Sequence, residues 1–138
     1  MENSLYKVDP TTKRDLVLIL CSLLEGYEMD YSTLHKASKI FQTNLERKYG
    51  VTLGYKFNDI SISKPWDDEF QNDLERWDAV AKLFIIYDSG SYIHLEIPQK
   101  TKLLLDTLTL KNLENRFDDF REFIGEVRNK VENLIKYS

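Results

Sequence analysis

Few side chains in this sequence have the type and spacing that chemistry demands. It holds two histidines, His35 and His94, and one cysteine, Cys21. His35 falls on a helical pattern and His94 on a strand pattern, so both read as ordinary surface residues rather than metal ligands. Cys21 ends the apolar run 16–21, which reads as a buried, inert thiol, and a lone cysteine makes no internal disulfide. The acid pairs Asp67-Asp68 and Asp118-Asp119 are adjacent in sequence. Adjacent helix positions point about 100° apart, so neither pair is arranged to share a proton or a metal. No glycine-rich phosphate loop or cysteine cluster occurs. The expectation is a protein without catalysis, metal or cofactor.

Recognition is the chemistry that remains. Lys36, Lys39 and Arg47 share the outer face of one predicted helix, and Lys56 and Lys64 follow it. Such cations can neutralise phosphates. Gln71, Asn72 and Arg76 lie on the next helix and are residue types that read base edges. The same helix opposes that role. Residues 66–78 carry six acids, Asp67, Asp68, Glu69, Asp73, Glu75 and Asp78, against one Arg76. Phosphates repel such a surface. The formal net charge of −4 likewise excludes a protein that coats nucleic acid with its whole surface.

The elements that must position these residues follow from periodicity. Of the 138 residues, 42% are hydrophobic and 30% charged, a globular balance that suits one ordinary domain. A first helix starts at Asp9-Pro10, a capping residue followed by a proline where its missing N–H costs nothing. From 16 to 24 it is apolar almost all round, so it belongs at the centre of the core. That run is far shorter than the roughly 20 residues a membrane span needs. No anchor or signal segment is expected, and the cytoplasm is the natural compartment. Gly26 is expected to close this helix.

A second helix spans about 30–49, with Leu34, Ala37, Ile40, Phe41 and Leu45 at helical spacing and Gly50 as its stop. Alternation over 51–57 predicts a strand. The third helix is expected to begin at Pro65, with Trp66, Phe70, Leu74 and Trp77 on one buried stripe. The runs 84–87 and 92–97 flank Asp88-Ser-Gly-Ser91 and predict a hairpin with Ile93, Leu95 and Ile97 inward. Pro98 ends it and opens a short helix through Leu105.

In the last segment Leu110, Leu113, Phe117, Phe120, Ile124, Val127, Val131 and Leu134 are spaced by alternating threes and fours. This heptad predicts one long helix over 109–137 that pairs two chains. Gly125 is its lone weak spot. The expected division is a domain over 1–108 and a dimerisation helix over 109–138.

The predicted order of helix, helix, strand, helix, hairpin and helix is an α+β, mostly helical, winged-helix-like arrangement. At residue level, 34–41 preceding Tyr55-Lys-Phe57, then Asp73-Leu-Glu-Arg-Trp77 and the turn Pro98-Gln-Lys-Thr101, resembles small prokaryotic winged-helix proteins related to the Panacea antitoxin domain and to archaeal uncharacterised regulators. The likeness covers roughly residues 12–108. It departs at Lys64-Pro65, where the family has Gly-Pro, and it lacks the family's glycine after the third helix. Two functions from different classes remain, and the first is the one expected. One is a homodimeric transcription regulator that binds DNA. The other is an antitoxin-like protein-interaction module with no DNA affinity of its own.

Overall fold

The computed structural model describes residues 5–59 and 65–137. The fold is α+β and mainly helical, with three small β assemblies among the described residues and a helical C-terminal region.

Helix α1 (Pro10–Leu24) starts as its sequence dictates, with the Asp9 carboxylate accepting from the Thr12 N–H. Leu16, Val17, Leu20, Cys21 and Leu24 are completely buried, so α1 is the central rod of the core. The helix ends at Leu24. Gly26 follows it in a left-handed conformation (φ +86°) and donates its N–H to the Leu95 carbonyl, which guides the chain into strand β2 (Glu28–Met29).

Helix α2 (Tyr31–Tyr49) is capped by Asp30, which accepts from the Thr33 N–H at 2.7 Å, and is stopped by left-handed Gly50. Strand β1 (Tyr6–Lys7) pairs in parallel with β3 (Val51–Thr52). The strand expected over 51–57 therefore stops after two residues. Beyond it Leu53 and Tyr55 plug into the core instead of lying in a ladder. The Gln42 side chain replaces the missing neighbour: its Oε1 accepts from the Tyr55 N–H (3.0 Å) and its Nε2 donates to the Tyr55 carbonyl (2.8 Å). A short antiparallel pair, β4 (Asn58–Asp59) and β5 (Pro65–Trp66), then leads to α3 (Asp68–Ala79). Pro65 and Trp66 thus precede the helix rather than open it, and Asp67 is its cap, accepting from the Phe70 N–H at 2.7 Å. Both tryptophans are half-buried rather than buried.

The hairpin forms as expected from β6 (Ile85–Asp88) and β7 (Ile93–Glu96), with Ile93, Leu95 and Ile97 buried. β2 adds to its free side, giving a three-stranded antiparallel sheet in the order β2–β7–β6.

The expected single helix over 109–137 is the main correction. The chain runs through α4 (Gln99–Leu104), one π-helical turn (Leu105–Thr109) and α5 (Leu110–Arg116), then breaks. Phe117 is extended and Asp119 is left-handed (φ +55°), a conformation aspartate tolerates better than most residues. Helix α6 (Phe120–Lys136) then packs against α2 and α1. The break lets both halves of the heptad face inward. Leu113, Phe117, Phe120, Val127 and Val131 are buried in the chain's own core, and Leu110, Ile124 and Leu134 pack half-buried against it. Of the eight side chains expected at a dimer interface, five are thus buried within one chain and three partly so. Residues on both sides of position 108 share that core.

Candidate functional site

The junction between α2 and α3 is built around His35. It is fully buried, contrary to the surface position expected of it. Its ring stacks on Trp66 with centroids 3.8 Å apart and meets the edges of Phe57 and Phe70. Nδ1 accepts from the Asp67 N–H (3.2 Å), so Nε2 carries the proton and donates to Gln71 Oε1 (2.9 Å). Burial holds its pKa below the usual histidine value, against the opposing pull of Gln71, Asp67 and Asp68. The geometry is that of a neutral imidazole fixing the start of α3.

Behind it, the buried Asp73 carboxylate accepts from the Tyr55 hydroxyl (2.7 Å) and pairs with Lys13 Nζ at 3.0 Å. Burial together with Asp73 pushes the Tyr55 hydroxyl far up, so it stays protonated. Lys13 also lies over the Tyr55 ring, 4.7 Å from its centroid. This network ties α1, the loop after β3 and α3 together. Every one of its groups is used by another, which is the pattern of a structural centre. Cys21 is fully buried, and burial pushes its thiol up to about 12, so the uncharged thiol fills its place in the core. Among the described residues, no group of three or more His, Cys, Asp or Glu side chains is placed to hold a metal. Also among them, no helix is long and apolar enough to cross a membrane.

The three residues expected to read bases are on α3, but two are engaged. Gln71 is half-buried, accepts from His35 and donates to Glu75 Oε1 at 3.3 Å. Arg76 lies 3.6 Å from Asp73. Asn72 is exposed, with Asp68, Glu69 and Glu75 on the same outward surface. At the hairpin tip Asp88 is exposed beside Tyr87 and Tyr92.

The cations lie elsewhere. Lys36, Lys39 and Arg47, with Thr43 between them, occupy one face of α2 at helical spacing, over roughly 16 Å of axis. The lysines are half-buried and Arg47 is exposed. The fold adds a member that sequence spacing could not reveal: α6 brings Lys130 Nζ within 2.6 Å of Asn44 Oδ1 on α2. Lys56 is exposed on the loop whose N–H donates to Asp67 Oδ2 (2.7 Å), near the start of α3. Lys64 lies outside the described residues.

A third surface was not expected at all. Between the end of α3, the start of β6 and α4 runs a cleft of about 920 Å³ lined by Ala81, Leu83, Ile85, Leu103 and Leu104. Asp78, Lys82 and Lys100 also line it. Val80 (78% exposed), Leu103 (62%), Leu108 (52%) and Leu104 (39%) place aliphatic side chains in solvent here or next to it. Single exposed apolar residues are ordinary, but a group beside an apolar cleft marks an interaction surface. The leucines are visible in the sequence, but their exposure depends on which way α4 docks.

Comparison with protein-family models, with curated proteins and with solved structures finds no match for this chain.

Proposed function

We propose that this chain is a protein-interaction module on a winged-helix-like scaffold. The element order α1, β2, α2, α3 and hairpin, with the sheet ordered β2–β7–β6, supports that scaffold. The observation that carries the function is the state of α3. In a winged helix this is the helix that enters the major groove. Here its outward surface carries Asp68, Glu75 and Glu69, the last paired with Lys13 at 3.4 Å, while Gln71 is held by His35 and Glu75 and the mostly exposed Arg76 lies 3.6 Å from Asp73. Such a helix repels phosphates and attracts cations. The leucine-bordered cleft continues from its C-terminal end. The partner that fits is a protein segment that sets apolar side chains in the cleft, beside Asp78, Lys82 and Lys100, and Lys or Arg against the acids of α3.

A photo-cross-linking residue placed at Leu104 tests this. The expected result is a product of one defined mass with a partner polypeptide, abolished by Leu103→Asp and weakened by Glu75→Lys. A product of twice the chain mass would make a second copy the occupant, and light scattering would then show a dimer. No discrete product would end the reading.

The basic face of α2 favours a second reading, a dimeric DNA-binding regulator. Under it, duplex DNA is retarded in gels at low salt, affinity falls steeply as salt rises, and Lys36→Ala, Lys39→Ala, Arg47→Ala and Lys130→Ala each weaken binding on all sequences alike. Failure to retard any duplex at low salt would remove it.

A further inference from the structure

Two locally costly features of this chain meet at one place. Gly125 lies in the interior of α6, where glycine is a poor helix former. The turn Leu105–Thr109 is π-helical, a rare geometry that recurs at functional sites. Gly125, Leu105 and Asp106 all line a single cleft of about 460 Å³ between α1, the π-helical turn and α6. That volume suits a small organic ligand.

Packing within the chain does not require the glycine. A Cβ built at Gly125 meets nothing within 4 Å, and its backbone is not left-handed. What the missing side chain does is leave the cleft open. The floor is apolar, made by Ile19, Leu23, Leu105, Leu110 and Ile124. Arg121 and Arg128 stand one turn before and one turn after Gly125, on the same face of α6, and both line the cleft. Acids are present as well. Glu25 is occupied by the Ile97 N–H (2.8 Å) and by Lys102 (3.4 Å), and Arg121 pairs with Glu114 at 2.8 Å. Asp106 is the remaining carboxylate of the lining, and with Glu114 beside Arg121 the three cations Lys102, Arg121 and Arg128 face three acids, so the site's preference for an anion rests first on Arg128.

We propose that this cleft binds a small amphipathic carboxylate, with its hydrocarbon on the leucine-rich floor and its carboxylate between Arg121 and Arg128 across Gly125. A guanidinium meets a carboxylate with paired, charge-assisted hydrogen bonds, and the apolar floor supplies the rest of the affinity. The site is separate from the α3 surface and the α2 face, so it holds under either reading of function.

Calorimetric titration of the full chain with octanoate, and with octanol as the uncharged counterpart, tests it. Octanoate should bind at least about tenfold more tightly than octanol, the difference a charge-assisted hydrogen bond supports. Arg128→Gln should remove most of that difference and leave octanol binding unchanged. Gly125→Leu should abolish binding of both. Leucine is a far better helix former than glycine, so this variant should melt no lower than the parent chain, and lost binding would reflect a filled cleft. Undetectable octanoate binding, equal affinity for octanol, or undiminished binding to Gly125→Leu would each overturn the proposal.

Discussion

Protonating His35 would turn Nδ1 from an acceptor into a donor aimed at the Asp67 N–H, two donors facing each other at the start of α3. Burial already holds the folded-state pKa below the ordinary histidine value. Above about pH 6.5 the imidazole is neutral in both folded and unfolded chains, and its contribution to stability is complete. As pH falls below that point, the unfolded chain takes up a proton that the folded chain refuses, so stability is lost. Urea midpoints should therefore drop between about pH 7.5 and about pH 5.5. The drop should be smaller in His35→Gln, which cannot titrate. An equal drop in both would place the effect elsewhere. The sequence pattern around His35 shows a helix but not the depth of this position. What buries the ring is Trp66, which the β4–β5 pair delivers from outside α3. A stripe drawn on one helix cannot anticipate a side chain that arrives from the strand before it.

At the scale of elements, much was legible where local chemistry decides. Asp9-Pro10 and Asp30 start their helices, Gly50 stops α2, and the hairpin sits where alternation placed it. Elements whose form depends on distant partners were not. The apolar alternation of 51–57 is real, but Gln42 supplies the hydrogen bonds that a neighbouring strand would have supplied. The heptad is real too, but a repeat of threes and fours also describes two helices folded inward about a break. The residue that permits the break, Asp119, carries no unmistakable signal. Gly125 offers a test at this scale. Its backbone accepts a side chain and nothing lies within 4 Å of a Cβ. Gly125→Ala should therefore raise stability by about 1 kcal/mol, the difference in helix propensity. A rise in thermal midpoint would show it, and a fall would mean that the cleft is tighter than its geometry indicates.

At the scale of the molecule, the described residues share one hydrophobic core, in which α1 supplies the central run and α6 adds Phe120, Phe123, Val127 and Val131, with Leu113 from α5. Phe117, Phe120 and Phe123 form a chain of rings that reaches Tyr49 and Phe41 on α2. The seam therefore governs whether the chain folds. Phe117→Asp places a charge among those rings, and the expected result is loss of the cooperative melt seen by circular dichroism. A folded monomer derived from a parent dimer would instead mean that Phe117 lies at a subunit interface. Leu110, Ile124 and Leu134 stay half-buried within one chain, so pairing of two chains through the seam would bury only what these three leave exposed, and the leucine-bordered cleft at α4 is another surface to examine.

The packing of α6 against α2 also sets the order in which the chain can fold. Phe41 of α2 meets Phe123 of α6 at 5.8 Å, although about eighty residues separate them in sequence. On the ribosome, α1 and α2 emerge first and must wait for that partner. Until residues 120–131 are released, the inner face of α2 stays exposed to water and to other chains. Contacts that span so much sequence slow folding, because loop closure is costly before any contact rewards it. The nascent chain thus passes through a stage in which its most apolar helix, α1, is only partly covered. At that stage a chaperone that holds apolar segments would find its natural client.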